Sequence, residues 1–287
     1  MSYIYSAADI GSNSVRMDVV EAAPGLPPRL LATERDVARL GESVFRTGAV
    51  SPEALGLICS ILARMSARSH ALGSTVRRAV ATAALRDATN QQEFIAVASE
   101  AWGAPVEVIS GEEEARLIQR GVRSRLPHCP GNLLIIDVGG GSTEIICDGR
   151  AWSLPLGALR LQMLCLQDDE LFQFIREQAA PALEALAGVP VSQVIGTSAT
   201  ARAATTGGTT GGTVTTAHVR EFYRSVCSLD LAGRRALEGI GPQRAEVIIP
   251  GTAVLLHVLE TLRLPGLTYS PAGVRDGIIA DLSACGT

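Results

Sequence analysis

Two short phrases in this sequence carry the same arrangement of chemical groups. Ala8-Asp9-Ile10-Gly11-Ser12-Asn13-Ser14 and Ile136-Asp137-Val138-Gly139-Gly140-Gly141-Ser142-Thr143-Glu144 each place a carboxylate at the end of an apolar, strand-like run. A turn of small residues follows, then a second strand. Small residues let backbone N–H groups approach an anion closely, so Gly11, Ser12 and Asn13 in one copy and Gly139, Gly140, Gly141 and Ser142 in the other are candidate phosphate ligands. A phosphate-handling hairpin in duplicate predicts two similar lobes facing each other across a cleft. Asp9, Asp137 and Glu144 are candidates for a hydrated magnesium ion, which takes a few carboxylates together with water and phosphate oxygens. Either aspartate serves equally well as a cap on the neighbouring turn amides, and a glycine turn between strands is by itself an ordinary hairpin.

A second group is Ser110-Gly111-Glu112-Glu113-Glu114-Ala115-Arg116, at a helix start. Ser110 and Glu113 have the spacing of a capping box, and Glu112 suits the positive end of the helix dipole. Glu114 has no such local duty. It is either the general base for an attacking water or one more solvated acid at a helix start. Arg86 follows a strand and is a candidate phosphate fork, or else pairs with Asp87 at the surface. Gly196-Thr197-Ser198 forms a strand-to-helix turn with free amides, a second possible anion contact. Arg275, opening the last helix, either faces the cleft or, by default, is a surface arginine.

Composition removes other mechanisms. The 287 residues include 25 basic side chains, all of them arginine. Without lysine there is no Walker A loop and no Schiff base. A net charge of −4 and the lack of a basic run with interleaved aromatics speak against nucleic acid. The six cysteines include no Cys-x-x-Cys pair and read as reduced packing residues, and the four histidines show no metal-ligand spacing. No apolar run reaches the length of a membrane span and no signal-peptide pattern opens the chain, so a cytoplasmic protein is expected.

The elements that must position these groups form two similar series. Strands are expected at 3–9, 14–21 and 29–37, a capped helix from Ser51-Pro52-Glu53 to about 70, a strand at 76–81, a helix at 89–102, a strand at 105–109 and a helix at 110–123. The turn-rich segment Leu126-Pro127-His128-Cys129-Pro130-Gly131-Asn132 is the expected boundary. It gives lobes at 1–126 and 127–287, the last helix being able to pack back on the first. The series restarts with strands 133–137, 143–148 and 151–156. Helix 168–187, strand 191–195 and helix 198–205 come next. Thr205–Thr216, nearly all threonine and glycine, reads as a loop. Helices near 218–229, 231–238, 243–248 and 251–263, strand 267–269 and helix 273–284 complete an α/β pattern in each half.

With these motifs in order, the chain resembles the exopolyphosphatase / guanosine pentaphosphate phosphohydrolase (Ppx/GppA) family in its short two-domain form. The resemblance spans nearly the whole chain. It rests on the two hairpin phrases, Ala81-Thr-Ala-Ala-Leu-Arg-Asp-Ala-Thr-Asn90, Ile109-Ser-Gly-Glu-Glu-Glu-Ala-Arg-Leu-Ile118, Leu154-Pro-Leu-Gly-Ala-Leu-Arg-Leu161 and Arg244-Ala-Glu-Val-Ile-Ile-Pro-Gly251. It implies two ribonuclease-H-like lobes of the actin-like ATPase/Hsp70/sugar-kinase superfamily with an interdomain cleft. It also implies magnesium-dependent release of terminal orthophosphate from polyphosphate, pppGpp or both, and a possible homodimer. The glutamate before Ala-Arg corresponds to the family's base, here Glu114. Asp137 and Glu144 match its acidic residues, Gly139 to Ser142 its phosphate cradle, and Asn13 and Arg86 its phosphate contacts. The chain departs from the family at Ala83, where serine is common, at Asp276, where glutamate is commoner, and at the Gly196-Thr-Ser turn. A kinase or ATPase of the same fold and a non-catalytic polyphosphate or alarmone sensor are the competing readings. The retained glutamates disfavour the sensor.

Overall fold

The computed structural model describes residues 2–23, 26–126, 131–166, 168–205 and 212–285. The chain divides into two units, Met1–Arg125 with Ala272–Thr287, and Leu126–Pro271. The first contains β1 (Tyr3–Ile10), β2 (Ser14–Ala22), β3 (Arg29–Val37), α1 (Leu40–Thr47), α2 (Pro52–Ala71), β4 (Val76–Ala81), α3 (Ala83–Asp87), α4 (Gln91–Trp102), β5 (Val106–Val108) and α5 (Gly111–Arg125). Its sheet runs β3-β2-β1-β4-β5. The first three strands form an antiparallel meander, while β4 and β5 run parallel to β1.

Sequence explains each strand's place. Central β1 is buried from Tyr5 to Ala8, as expected for a strand covered on both faces. Ser6 is tolerated there because its hydroxyl bonds those of Ser69 at 2.6 Å and Ser74 at 2.8 Å. Edge strand β3 carries Glu34, Arg35 and Asp36, charges that discourage a further strand from adding. Helix α2 begins as its sequence indicates, with Pro52 in its first turn and Ser51 Oγ accepting from the Ala54 amide at 3.2 Å. Phe94, Trp102, Leu62 and Met65 fill the core between helices and sheet.

The second unit repeats this plan with β6 (Leu133–Val138), β7 (Thr143–Cys147), β8 (Arg150–Leu154), α6 (Ala158–Leu164), α7 (Asp168–Leu186), β9 (Gln193–Gly196), α8 (Ala199–Ala204), β10 (Thr213–Thr215), α9 (Thr216–Ser228), α10 (Leu231–Ala236), α11 (Ile248–Thr261) and β11 (Gly266–Tyr269). The order β8-β7-β6-β9-β11 matches that of the first sheet, and β10 adds an antiparallel edge. Both units therefore have the ribonuclease-H-like order in which strand 2 alone opposes its sequence-central neighbours in the 2-1-4-5 core. Helix α11 is buried on nearly every side and forms the spine of this core.

The last helix, α12 (Val274–Cys285), belongs to the first unit, where it packs on α5, β1 and β2. The second unit accordingly ends at Pro271, short of the C-terminus. Short helices α1, α3 and α6, of eight, five and seven residues, were not among the elements expected from the sequence. Residues 243–247 form turns instead of the expected helix. Within the threonine and glycine segment, Thr213–Thr215 is a strand, and residues 206–211 lie outside the described residues, as do Pro127, His128, Cys129 and Pro130 of the boundary segment. Cys147 is buried, but Cys165 and Cys227 are exposed, which corrects their reading as packing residues. No helix among the described residues is long and apolar enough to cross a membrane.

Asp281 on α12 accepts from Arg116 at 2.5 Å and pairs with Arg120 at 2.6 Å, both on α5. Burial pulls the Asp281 carboxyl up, but the hydrogen bond from Arg116 and the two positive charges outweigh it and hold the group below its ordinary value. A carboxyl lowered in the folded state stabilises above its unfolded value, about pH 4, and loses that contribution as pH falls through the folded value. Asp281→Asn should flatten the acid side of the stability curve, measured by urea unfolding from pH 7 to pH 3, with the difference from wild type vanishing at the acid end.

Candidate active site

In both units the turn after the first strand is built identically. The Gly11 amide donates to Ser14 O at 3.1 Å, and the Gly139 amide donates to Ser142 O at 2.9 Å. These bonds close two-residue loops, Ser12-Asn13 and Gly140-Gly141. Behind each loop stands the start of the helix that follows the third strand. The Ser12 carbonyl accepts from the Gly41 amide at 2.8 Å, and the Asn13 carbonyl from those of Ala38 and Arg39 at 3.2 and 3.1 Å. In the second unit, Gly139 O accepts from Ala158 at 2.9 Å, and Gly140 O from Leu159 and Arg160 at 2.9 and 3.1 Å.

Helix N-termini carry amides without intrahelical partners, and here they consume the turn carbonyls. Among the described residues, the amides of Ser12, Asn13, Gly140 and Gly141 donate to no protein acceptor. Each turn is thus a small cluster of aligned donors, the form of an anion nest.

Side chains refine both turns. Ser12 Oγ accepts from the Ala84 amide at 3.2 Å, tying the first turn to α3. Asn13 Oδ1 is enclosed without a hydrogen-bond partner, an acceptor suited to a donor that arrives with a ligand. In the second unit Arg160 Nε donates to Gly141 O at 2.7 Å. Gly157 presses against the loop so closely that a Cβ there would lie 2.3 Å from the backbone of Gly141 and 2.4 Å from that of Gly140. Neither Gly157 nor Arg160 stood out in the sequence as a site residue, although both lie in the Leu154–Leu161 phrase.

The acids are distributed as follows. Asp137 and Glu144 are directly opposite each other in the β6–β7 ladder, so their side chains share one face. Glu144 is buried, and its Oε1 accepts from Ser153 at 2.8 Å. Asp9 is half-buried beside Arg16, its cross-strand partner. Burial pushes the Asp9 carboxyl upward, against the opposing fields of Arg275 and Arg16. No group of three or more His, Cys, Asp or Glu gathers as a metal cage among the described residues.

Glu114 and Arg86 form a second group within the first unit. Ser110 Oγ accepts from the Glu113 amide at 3.1 Å, which is one half of the expected capping box. The Glu113 carboxylate is instead engaged by Arg116 and Arg78, so the reciprocal half is absent from its bonds. One residue further, Glu114 turns inward and is only 7% exposed. A solvated acid is therefore ruled out. Arg86 Nη1 donates to Glu114 Oε2 at 2.7 Å and to Ile109 O at 3.2 Å. A buried carboxylate is costly unless paired, and Arg86 supplies the pairing charge.

The sequence matches the profile of the Ppx/GppA phosphatase family over residues 18–284. The chain belongs to that family. Family membership makes it a hydrolase acting on phosphoanhydrides. The fold is similar to that of the Aquifex aeolicus family member, at 24% identity and TM-score 0.83, covering 100% of this chain and 99% of that one. It is also similar to an exopolyphosphatase from Cytophaga hutchinsonii, at 21% identity and TM-score 0.90, covering 98% of each chain. An exopolyphosphatase-like protein gives TM-score 0.91 at 24% identity over 99% of this chain and 98% of that one.

Gly157 provides a test of the turn that does not depend on turnover. A methyl group at this position must displace main chain, with no rotamer to absorb it, so Gly157→Ala should cost about 1–3 kcal/mol of stability. It should also weaken binding of inorganic phosphate, measured by calorimetry alongside urea unfolding. Wild-type values for both would show that the loop does not need this close approach.

Proposed function

We propose that this phosphatase releases terminal orthophosphate from inorganic polyphosphate, pppGpp or both, with Glu114 as general base. The observation that carries the reading is the buried Glu114–Arg86 pair at the start of α5. Three adjacent glutamates are present, yet Glu112 and Glu113 are turned outward and Glu114 is withdrawn from solvent against Arg86.

In this reading a water is oriented by Glu114, which accepts its proton as the oxygen attacks the terminal phosphorus. The phosphorus–oxygen bond to the bridging oxygen breaks, and that oxygen leaves with the shortened chain. Amides of Ser12, Asn13, Gly140 and Gly141 with Ser142 stabilise phosphate oxygens, as does the planar fork of Arg86. Phosphoryl transfer needs little covalent help from protein, so positioning and electrostatics supply most of the rate.

Asp137 and Glu144, facing each other across β6 and β7, fit magnesium, which binds through one or two carboxylates and keeps its remaining water and phosphate ligands. Asp9, the third acid expected to take part, is not counted with them, because no three such groups gather among the described residues, and the unpartnered Asn13 Oδ1 suits a water that arrives with the ligand. Bound magnesium would offset charge on the phosphate oxygens. A cytoplasmic homodimer is the proposed working form.

Purified wild-type protein and Glu114→Gln should be assayed side by side on short polyphosphate, long polyphosphate and pppGpp. Glu114→Gln is expected to lose at least about 100-fold in kcat, the usual scale of general-base catalysis, and wild-type rates from the variant would remove Glu114 from this role. Chelation by EDTA should abolish phosphate release, and added magnesium should restore it. Phosphate appearing on an acceptor other than water would instead support the kinase reading.

A further inference from the structure

Arg275 contradicts its reading as a surface residue. It is largely enclosed at the start of α12, and its Nε donates to Asp18 Oδ2 at 2.7 Å. Burial alone would depress the guanidinium, but Asp18 and Asp9 hold it above its ordinary value. Asp18 lies on β2, and its other oxygen accepts from Thr33 at 2.7 Å. One end of α12 is thereby anchored on the hairpin that carries Asp9 and the first phosphate turn.

The flank of the same helix lies on α5, the helix that carries Glu114. A Cβ on Gly277 would fall 2.0 Å from Leu117 O and 2.6 Å from Leu117 C. From the other side, a Cβ on Gly121 would fall 2.3 Å from Gly273 O and 2.9 Å from the Gly277 amide nitrogen. Helix axes usually stand about 8–10 Å apart, at a distance set by the side chains between them. Here backbone rests on backbone, and no rotamer change can absorb a displacement. Leu117 is one helical turn beyond Glu114, so the height of that contact fixes the height of the carboxylate. Asp276 accepts from the exposed Arg125 at 2.8 and 2.6 Å and from the Gly273 amide at 2.9 Å, contacts that add to the crossing without setting its distance.

We infer that α12 is a brace that sets the position of Glu114 relative to the Asp9 hairpin, with Gly277 as its contact point and Arg275 as its anchor. Both are positioning residues, and the inference rests on Glu114 being the base. The exposed pairs of Asp281 with Arg116 and Arg120 add stability without setting this distance, because exposed pairs are held loosely.

The test measures kcat, KM and the pH–rate profile for polyphosphate hydrolysis, together with thermal unfolding, in Gly277→Ala, Arg275→Lys, Asp281→Asn and Glu114→Gln. An ångström-scale misplacement of a catalytic group can cost about 100-fold. Folded Gly277→Ala should lose at least about 10-fold in kcat with KM within about twofold, keeping the acid limb of its pH profile where wild type has it. Arg275→Lys keeps the charge and loses the planar fork, and should show the same kcat-specific loss. It decides the matter if Gly277→Ala does not fold. Asp281→Asn should lower the Tm and leave kcat within about twofold. Wild-type kcat in the folded brace variants, beside an inactive Glu114→Gln, would overturn the brace alone. An equal fall of kcat in Asp281→Asn would also overturn it, by reducing the effect to general destabilisation. An active Glu114→Gln would overturn the base assignment and the brace with it.

Discussion

The small-residue turn after the first strand of each unit is held from behind by amides at the start of the helix that follows the third strand, and the rest of the candidate site follows from that arrangement. A main chain offers one donor and one acceptor per residue, and both seek partners. The carbonyls of Ser12, Asn13, Gly139 and Gly140 are taken by amides at the helix starts, while the loop amides donate to no acceptor among the described residues. Helices α1 and α6 are too short to be stable alone, yet each stands where its unpaired amides and the loop's carbonyls satisfy one another. Two units with little sequence in common outside the Asp-x-Gly phrases arrive at this same solution. The strand order and the closing bonds from Gly11 and Gly139 repeat along with it.

Charge is arranged under the same economy. With every cation an arginine, two of the enclosed carboxylates meet a guanidinium: Glu114 meets Arg86, and Asp18 meets Arg275. Asp9 is left with only the more distant fields of Arg275 and Arg16 against its burial, and its carboxyl is pushed up accordingly. Bidentate geometry also suits phosphate oxygens. The residue type that neutralises the resting protein is thus the type best able to receive a polyanion.

Much of this was legible in the sequence because it is local. The strand alternation, the duplicated turns, the Ser51 and Ser110 caps and the separation of Glu114 from its two acidic neighbours depend on residues within one element. The capping argument singled out Glu114 correctly as the glutamate without a surface role, even though Glu113 spends its carboxylate on Arg116 and Arg78 rather than on Ser110. What escaped was distributed. Short helices have too few residues for a period to emerge, and the threonine and glycine segment conceals the edge strand β10, whose pairing partner β11 lies some 50 residues further along the chain.

The sequence by itself determined the two α/β halves, the duplicated small-residue turns and the set of candidate acids, since periodicity and turn chemistry are written over a few neighbouring residues. Only the tertiary structure decided the assignment of the last helix to the first unit, the enclosure of Arg275 on Asp18 and the pairing of Arg86 with Glu114. It alone also showed why Gly121, Gly157 and Gly277 are glycine. Each depends on a distance between segments remote in the chain, and a residue's type does not encode which distant backbone will come to rest against it.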